Sequence, residues 1–202
     1  MATVFAGFTM SLDGFIANPD DSVENLFDWF NSGDTEFVFP DGKMTVRLSP
    51  ASAMVMRDVW QSVGAIVTGR RMFDIAHGWG GNHPLNVPVF VVSHSIPEGW
   101  PRDDTPFTFV TDVDGVERAI EQAKKVAGEK TVAVAGANVA QQALKAGLVD
   151  EIEVDLVPIL LGRGIRLFEY LGVEPIKLER TIAVLAPDVT HLRFRVKRKG
   201  SE

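Results

Sequence analysis

The chain has 202 residues, 46% hydrophobic and 23% charged, with a formal net charge of −7. That length suits one domain with a buried core, expected over residues 1–202, and the negative charge argues against nucleic-acid binding, which needs a basic face. There is no cysteine, so disulfides, a thiolate nucleophile and a thiolate metal site are excluded, and no run reaches the roughly 18 apolar residues that cross a bilayer. The first ten residues lack a basic leader and a cleavage site, so the expectation is a cytoplasmic protein with no membrane partner.

In chain order, residues 3–9 read as a strand, Asp13-Gly14 as a turn, residues 15–17 as extended chain and residues 18–21 as a second turn. Residues 25–31 suit a short helix, with Leu26, Phe27, Trp29 and Phe30 apolar around Asp28. Residues 34–42 read as a polar loop broken by glycine and proline. Ser49-Pro50 opens a helix with a capping hydroxyl and a proline at its first turn, and its inner face is expected to carry Met54, Val55, Val59 and Val63. A strand over 65–68 leads into a short helix from Arg70, and a glycine-rich loop runs from His77 to Pro84. Strands over 87–92 and 107–110 follow. Val116, Ile120, Ala123 and Ala127 mark a helix that Gly128 ends.

Residues 131–168 carry the clearest chemical signal. A β-branched strand over 132–135 feeds Gly136 and Ala137, with Asn138 as the expected cap of a helix that Gly147 ends. Val139, Ala140, Ala143 and Leu144 form the apolar face of that helix. A strand that runs through a small-residue turn into a helix start is an anion site, because free N–H groups and the helix dipole aim at one spot. A further strand over 152–157 ends at Pro158, Gly162 and Gly164. Two strands, 177–185 and 189–197, close the chain as a hairpin about Ala186-Pro187-Asp188. The alternation predicts an α/β fold with a mainly parallel sheet and an antiparallel C-terminal hairpin.

The order of these segments resembles the dihydrofolate-reductase-like family. The matching motifs are Met10-Ser11-Leu12-Asp13-Gly14-Phe15-Ile16-Ala17, then Thr68-Gly69-Arg70-Arg71-Met72-Phe73, Leu148-Val149-Asp150-Glu151, and Pro158-Ile159-Leu160-Leu161-Gly162-Arg163-Gly164. The closer match within it is the branch typified by the C-terminal reductase domain of bifunctional riboflavin-biosynthesis proteins. The resemblance implies a three-layer sandwich that binds NADPH and reduces a small, flat, unsaturated heterocycle of pterin or pyrimidine type. It leaves open the riboflavin-pathway uracil reductase, a dihydrofolate reductase, and a nucleotide-binding module without turnover.

By the same resemblance, Thr68, Gly69, Arg70, Arg71 and Met72 hold pyrophosphate. Ser93 and His94 take the adenosine 2′-phosphate, and Ala135, Gly136, Ala137, Asn138, Val139 and Ala140 take pyrophosphate with the nicotinamide side. Asp13 is the candidate catalytic or orienting carboxylate. Asp28, Trp79 and Gly162 are candidates for substrate contact; burial of Asp28 amid aromatics would raise its pKa toward useful values. His77, His83, His94 and His191 show no metal-ligand spacing, so no metal is expected. Two departures stand out. The branch's first-strand lysine falls at Gly7, leaving Arg163 or Arg166 as substitutes, and one of its paired glycines is Ala135. Residues 22–50 match neither branch. A homodimer is expected, through residues 152–161 or the terminal hairpin.

Overall fold

Alternation along the strands decides which face of the sheet each residue serves. The computed structural model describes residues 2–172 and 174–198. Its strands are β1 (Val4–Ser11), β2 (Phe15–Ala17), β3 (Thr35–Val38), β4 (Thr45–Leu48), β5 (Val63–Gly69), β6 (Val89–Val92), β7 (Phe107–Val110), β8 (Thr131–Ala135), β9 (Glu151–Val157), β10 (Ile165–Arg166), β11 (Leu178–Leu185) and β12 (Thr190–Val196). The helices are α1 (Pro50–Ser62), α2 (Arg70–Ile75), α3 (Gly115–Ala127) and α4 (Ala137–Lys145), with 3₁₀ segments at Glu24–Asn31 and His77–Gly81.

Eight strands form one sheet in the order β11-β12-β9-β1-β8-β5-β6-β7. From β9 to β7 the neighbours are parallel, and β12 and β11 add an antiparallel edge. This is the predicted architecture. On one face Val4, Ala6, Ala65, Val67, Val132, Val134, Ile152 and Val154 pack against α3 and α4. On the other, Phe5, Val63, Ile66, Val89 and Val91 meet Phe73 of α2, while α1 and the first 3₁₀ segment build a separate aromatic cluster over Val157 and Val189. Helical layers on both faces make three layers.

Strand β8 lies between β1 and β5, and β9 then returns to the far side of β1. The loops leaving β8 and β9 therefore diverge on either side of β1, the switch point beside which open α/β sheets place their ligands.

Residues 34–42 do not form a plain loop. β3 and β4 pair antiparallel, Phe37 opposite Val46, and Phe37, Phe39, Val46 and Leu48 are buried with Trp29. Apolar burial overrides the turn-rich composition there. The phase of α1 also differs from expectation. Ser49 caps it by accepting from Ser52 N, and the buried positions are Ser52, Ala53 and Met56; Met54 is exposed and Val63 already belongs to β5. Asn138 is not the cap of α4 either. Gly136 occupies that place and Asn138 sits exposed in the first turn, bonded to Gln142 at 2.6 Å.

Candidate functional site

Thr68 and Ala135 are paired across β5 and β8, so Gly69 and Gly136 end neighbouring parallel strands side by side. Each is the residue before a helix, α2 and α4 respectively, and no side chain caps either start. Gly136 has φ +92°, which an L side chain rarely adopts, and a Cβ built there would lie 4.0 Å from Gly69 N. A Cβ on Gly69 would press on Val139 at 3.1 Å. Thr68 is fully buried, and its hydroxyl has no hydrogen-bond partner. Two helix starts without side-chain caps, with an orphaned hydroxyl one residue before the first, fit a phosphate-bearing ligand.

The arginines separate. Arg70 Nε bonds Asp74 at 2.7 Å and its Nη1 reaches the Ser95 carbonyl at 3.2 Å, which sets its guanidinium beside the 93–95 turn. Ser93 Oγ donates to that same carbonyl at 2.6 Å, while His94 is exposed. Arg71 instead reaches Asp21 of the turn after β2 at 2.8 Å. Arg70 and Ser93 are thus brought together, and Arg71 is drawn away from them.

Asp13 follows β1. Its carboxylate accepts from Ser11 Oγ at 2.6 Å, Gly162 N at 2.7 Å and Leu161 N at 3.1 Å. The Ser11 hydroxyl first, then the Gly162 and Leu161 N–H groups, hold its pKa below the ordinary aspartate value against an opposing effect of burial. The side chain fastens the loop after β1 to the loop after β9, and Gly162 is one of its donors. Arg166 stacks over Phe15 and donates to the Asp13 carbonyl at 3.4 Å. Arg163 is exposed.

A cleft of about 440 Å³ opens on the α1 face of the sheet. It runs from Ala135 and Met72, beside the two glycine turns, to His191 and Arg193 on β12. Its walls are mostly aromatic or aliphatic, including Phe5, Phe27, Trp29, Phe30 and Trp60. The unplaced residues 22–50 therefore supply part of the wall. Asp28 does not: it is exposed, because the turn of its 3₁₀ segment sends Leu26 and Trp29 inward instead. Trp79 also lies outside the cleft, packed near Phe73 and stacked on Phe107 with 10° between the rings. It holds the glycine-rich turn onto the body.

The polar floor of the cleft was not foreseen from the motifs. Glu153 and Arg193 face each other across β9 and β12, joined through Arg193 Nε at 2.7 Å and through Nη2. Burial raises the Glu153 pKa, and the guanidinium draws it back. One pair further along, His191 Nδ1 is 2.6 Å from Asp155 Oδ1, and its Nε2 is 2.9 Å from Ser52 Oγ. Ser52 and His191 are buried and Asp155 is half-buried. A signal was present in the sequence: Glu151, Glu153 and Asp155 alternate on one strand, and His191, Arg193 and Arg195 on its partner. Antiparallel pairing sets each acid opposite a base.

The profile of the RibD C-terminal domain family matches residues 2–190. A Shewanella sp. PV-4 protein named for riboflavin biosynthesis is 25% identical and superposes with a TM-score of 0.70 over 98% of this chain and 100% of its own. The Thermotoga maritima diaminohydroxyphosphoribosylaminopyrimidine deaminase/5-amino-6-(5-phosphoribosylamino)uracil reductase shares the fold at 12% identity and a TM-score of 0.64, over 97% of this chain and 57% of its own. Enterococcus faecalis dihydrofolate reductase, complexed with NADP(H), does so at 11% identity and a TM-score of 0.56, over 97% of each chain. Among the described residues no helix is long and apolar enough to cross a membrane.

Proposed function

Because the chain belongs to the RibD C-terminal domain family, we propose that it is an NADPH-dependent reductase acting on a small, flat, unsaturated heterocycle. The observation that carries this reading is the continuity of the site. The cleft begins at Ala135 and Met72, where Gly69 and Gly136 leave two helix starts uncapped. NADPH fits those residues: the α4 start and the Gly69 turn would hold pyrophosphate, and Arg70 with Ser93 would meet the 2′-phosphate through a guanidinium fork. Bound there, the cofactor would supply hydride.

The chain's own contribution is position and exclusion of water. Asp13 keeps the loops after β1 and β9 together, and its lowered pKa suits it to orienting and not to proton donation. Aromatic walls take the flat face of the acceptor. The reading includes a homodimer. β9 has neighbours on both edges, so we place the interface on the terminal hairpin, at β11, where Leu178 and Leu185 are exposed.

Thermal-shift titration tests the cofactor. A ligand at 100 times its Kd adds about 2.7 kcal/mol, so saturating NADPH raises Tm by about 5 °C or more while NADH raises it far less. No shift with either cofactor sinks the reductase reading.

A further inference from the structure

We infer that the cleft selects an unphosphorylated, nitrogen-bearing aromatic ring, neutral or cationic, whose polar edge is held by Asp155. This deepens the reductase reading and rests on it only for the identity of the cleft as the acceptor site.

The first argument is steric. Gly7 faces the cleft next to Glu153 in the β1–β9 register, and a Cβ built on it would lie 2.9 Å from Phe5 Cε2 and 3.8 Å from Glu153 Cβ. The Phe5 ring therefore covers the strand at this point. A longer side chain able to grip a phosphate would first have to displace that ring, and as it stands the floor presents an aromatic surface instead.

The second argument is charge. The cleft lining holds three acidic side chains, Asp58, Glu153 and Asp155, against one guanidinium, Arg193. That guanidinium is already committed to Glu153 through two nitrogens. His83 adds no positive charge near neutrality, because burial pushes its pKa down to about 4. A phosphate dianion entering this space meets like charge with no free cation to balance it.

The third argument is what the cleft offers in exchange. His191 takes Asp155 Oδ1 on one nitrogen and Ser52 on the other, which fixes the carboxyl group and leaves Oδ2 for a ligand N–H. Trp29 is buried in the wall, and its indole N–H has no partner. A ring carrying a donor nitrogen answers the carboxylate, while the indole N–H is closed off behind the wall.

Fluorescence titration with cytidine and cytidine 5′-monophosphate, without cofactor, tests the inference. Trp29 and Trp60 line the cleft and report occupancy, whereas Trp79 and Trp100 lie outside it. Cytidine quenches the emission, and its monophosphate binds at least about tenfold more weakly. Asp155→Asn weakens cytidine by about tenfold while preserving the circular-dichroism spectrum. Phe5→Ala combined with Gly7→Lys makes room for a cation and narrows the preference between the two ligands. Equal or tighter binding of the monophosphate by the wild-type protein overturns the inference, as does absence of quenching by cytidine. Because no cofactor is present, these failures are separate from a failed NADPH shift.

Discussion

At the scale of single residues, His83 makes the sharpest prediction. Its Nδ1 accepts from Leu85 N at 3.1 Å and its ring packs edge-on to Trp79, so the folded protein holds it neutral. Burial brings its folded pKa down to about 4, below the ordinary imidazole value of about 6.5. The unfolded chain therefore binds more protons between those values, and the stabilisation is complete above pH 6.5 and lost as pH falls toward 4. With its partial exposure discounted, the loss is on the order of 2 kcal/mol. Urea denaturation at pH 7 and pH 4.5 measures it: His83→Gln flattens this part of the profile, and an unchanged slope refutes the assignment. Residue identity also limited what the sequence disclosed. Asp28 sits among aromatics in sequence, but which side a 3₁₀ residue faces depends on a turn that packing sets. The Gly136 turn was legible because few other residues tolerate its φ of +92°.

At the scale of elements, the β8–α4 junction concentrates the cofactor reading in one backbone. Gly136→Ala has space for its methyl but not the φ of +92°, so it costs about 1–2 kcal/mol from strain alone. It also displaces the α4 start, and the NADPH-induced thermal shift falls to less than half. A variant that keeps the full shift places the phosphate elsewhere. Strand and helix positions were readable from period and caps, including Ser49 before α1 and Gly147 after α4. The phase of α1 was not. Its most exposed methionine, Met54, looked like core, whereas Ser52 turns inward because His191 waits there from a strand 139 residues away in sequence. No local pattern contains that partner. β3 and β4 were hidden for the same reason, since Phe37 and Phe39 find their cover on Trp60 and Trp29, outside their own segment.

At the scale of the whole molecule, the sheet divides the labour. Strands β5, β6 and β8 carry the proposed cofactor loops, and β9 and β12 carry the polar floor for the acceptor. The sheet ends at β11, whose outer edge has no partner strand among the described residues. The proposed homodimer would pair there, and Leu178→Lys with Leu185→Lys would then shift the light-scattering mass from two copies toward one. A dimer indifferent to both changes excludes this edge.

The Glu153–Arg193 and Asp155–His191 pairs tie function to the order of synthesis. Both acids are made before either base, and until β12 lies down beside β9 two carboxyl groups face the cleft without partners. The glycine turns at Gly69 and Gly136 precede all of this. A chain cut before Thr190 would keep the residues proposed for nucleotide recognition but would have no anchored carboxylate to receive the second ligand. The proposed acceptor half of the site is thus complete only once β12 has joined the sheet.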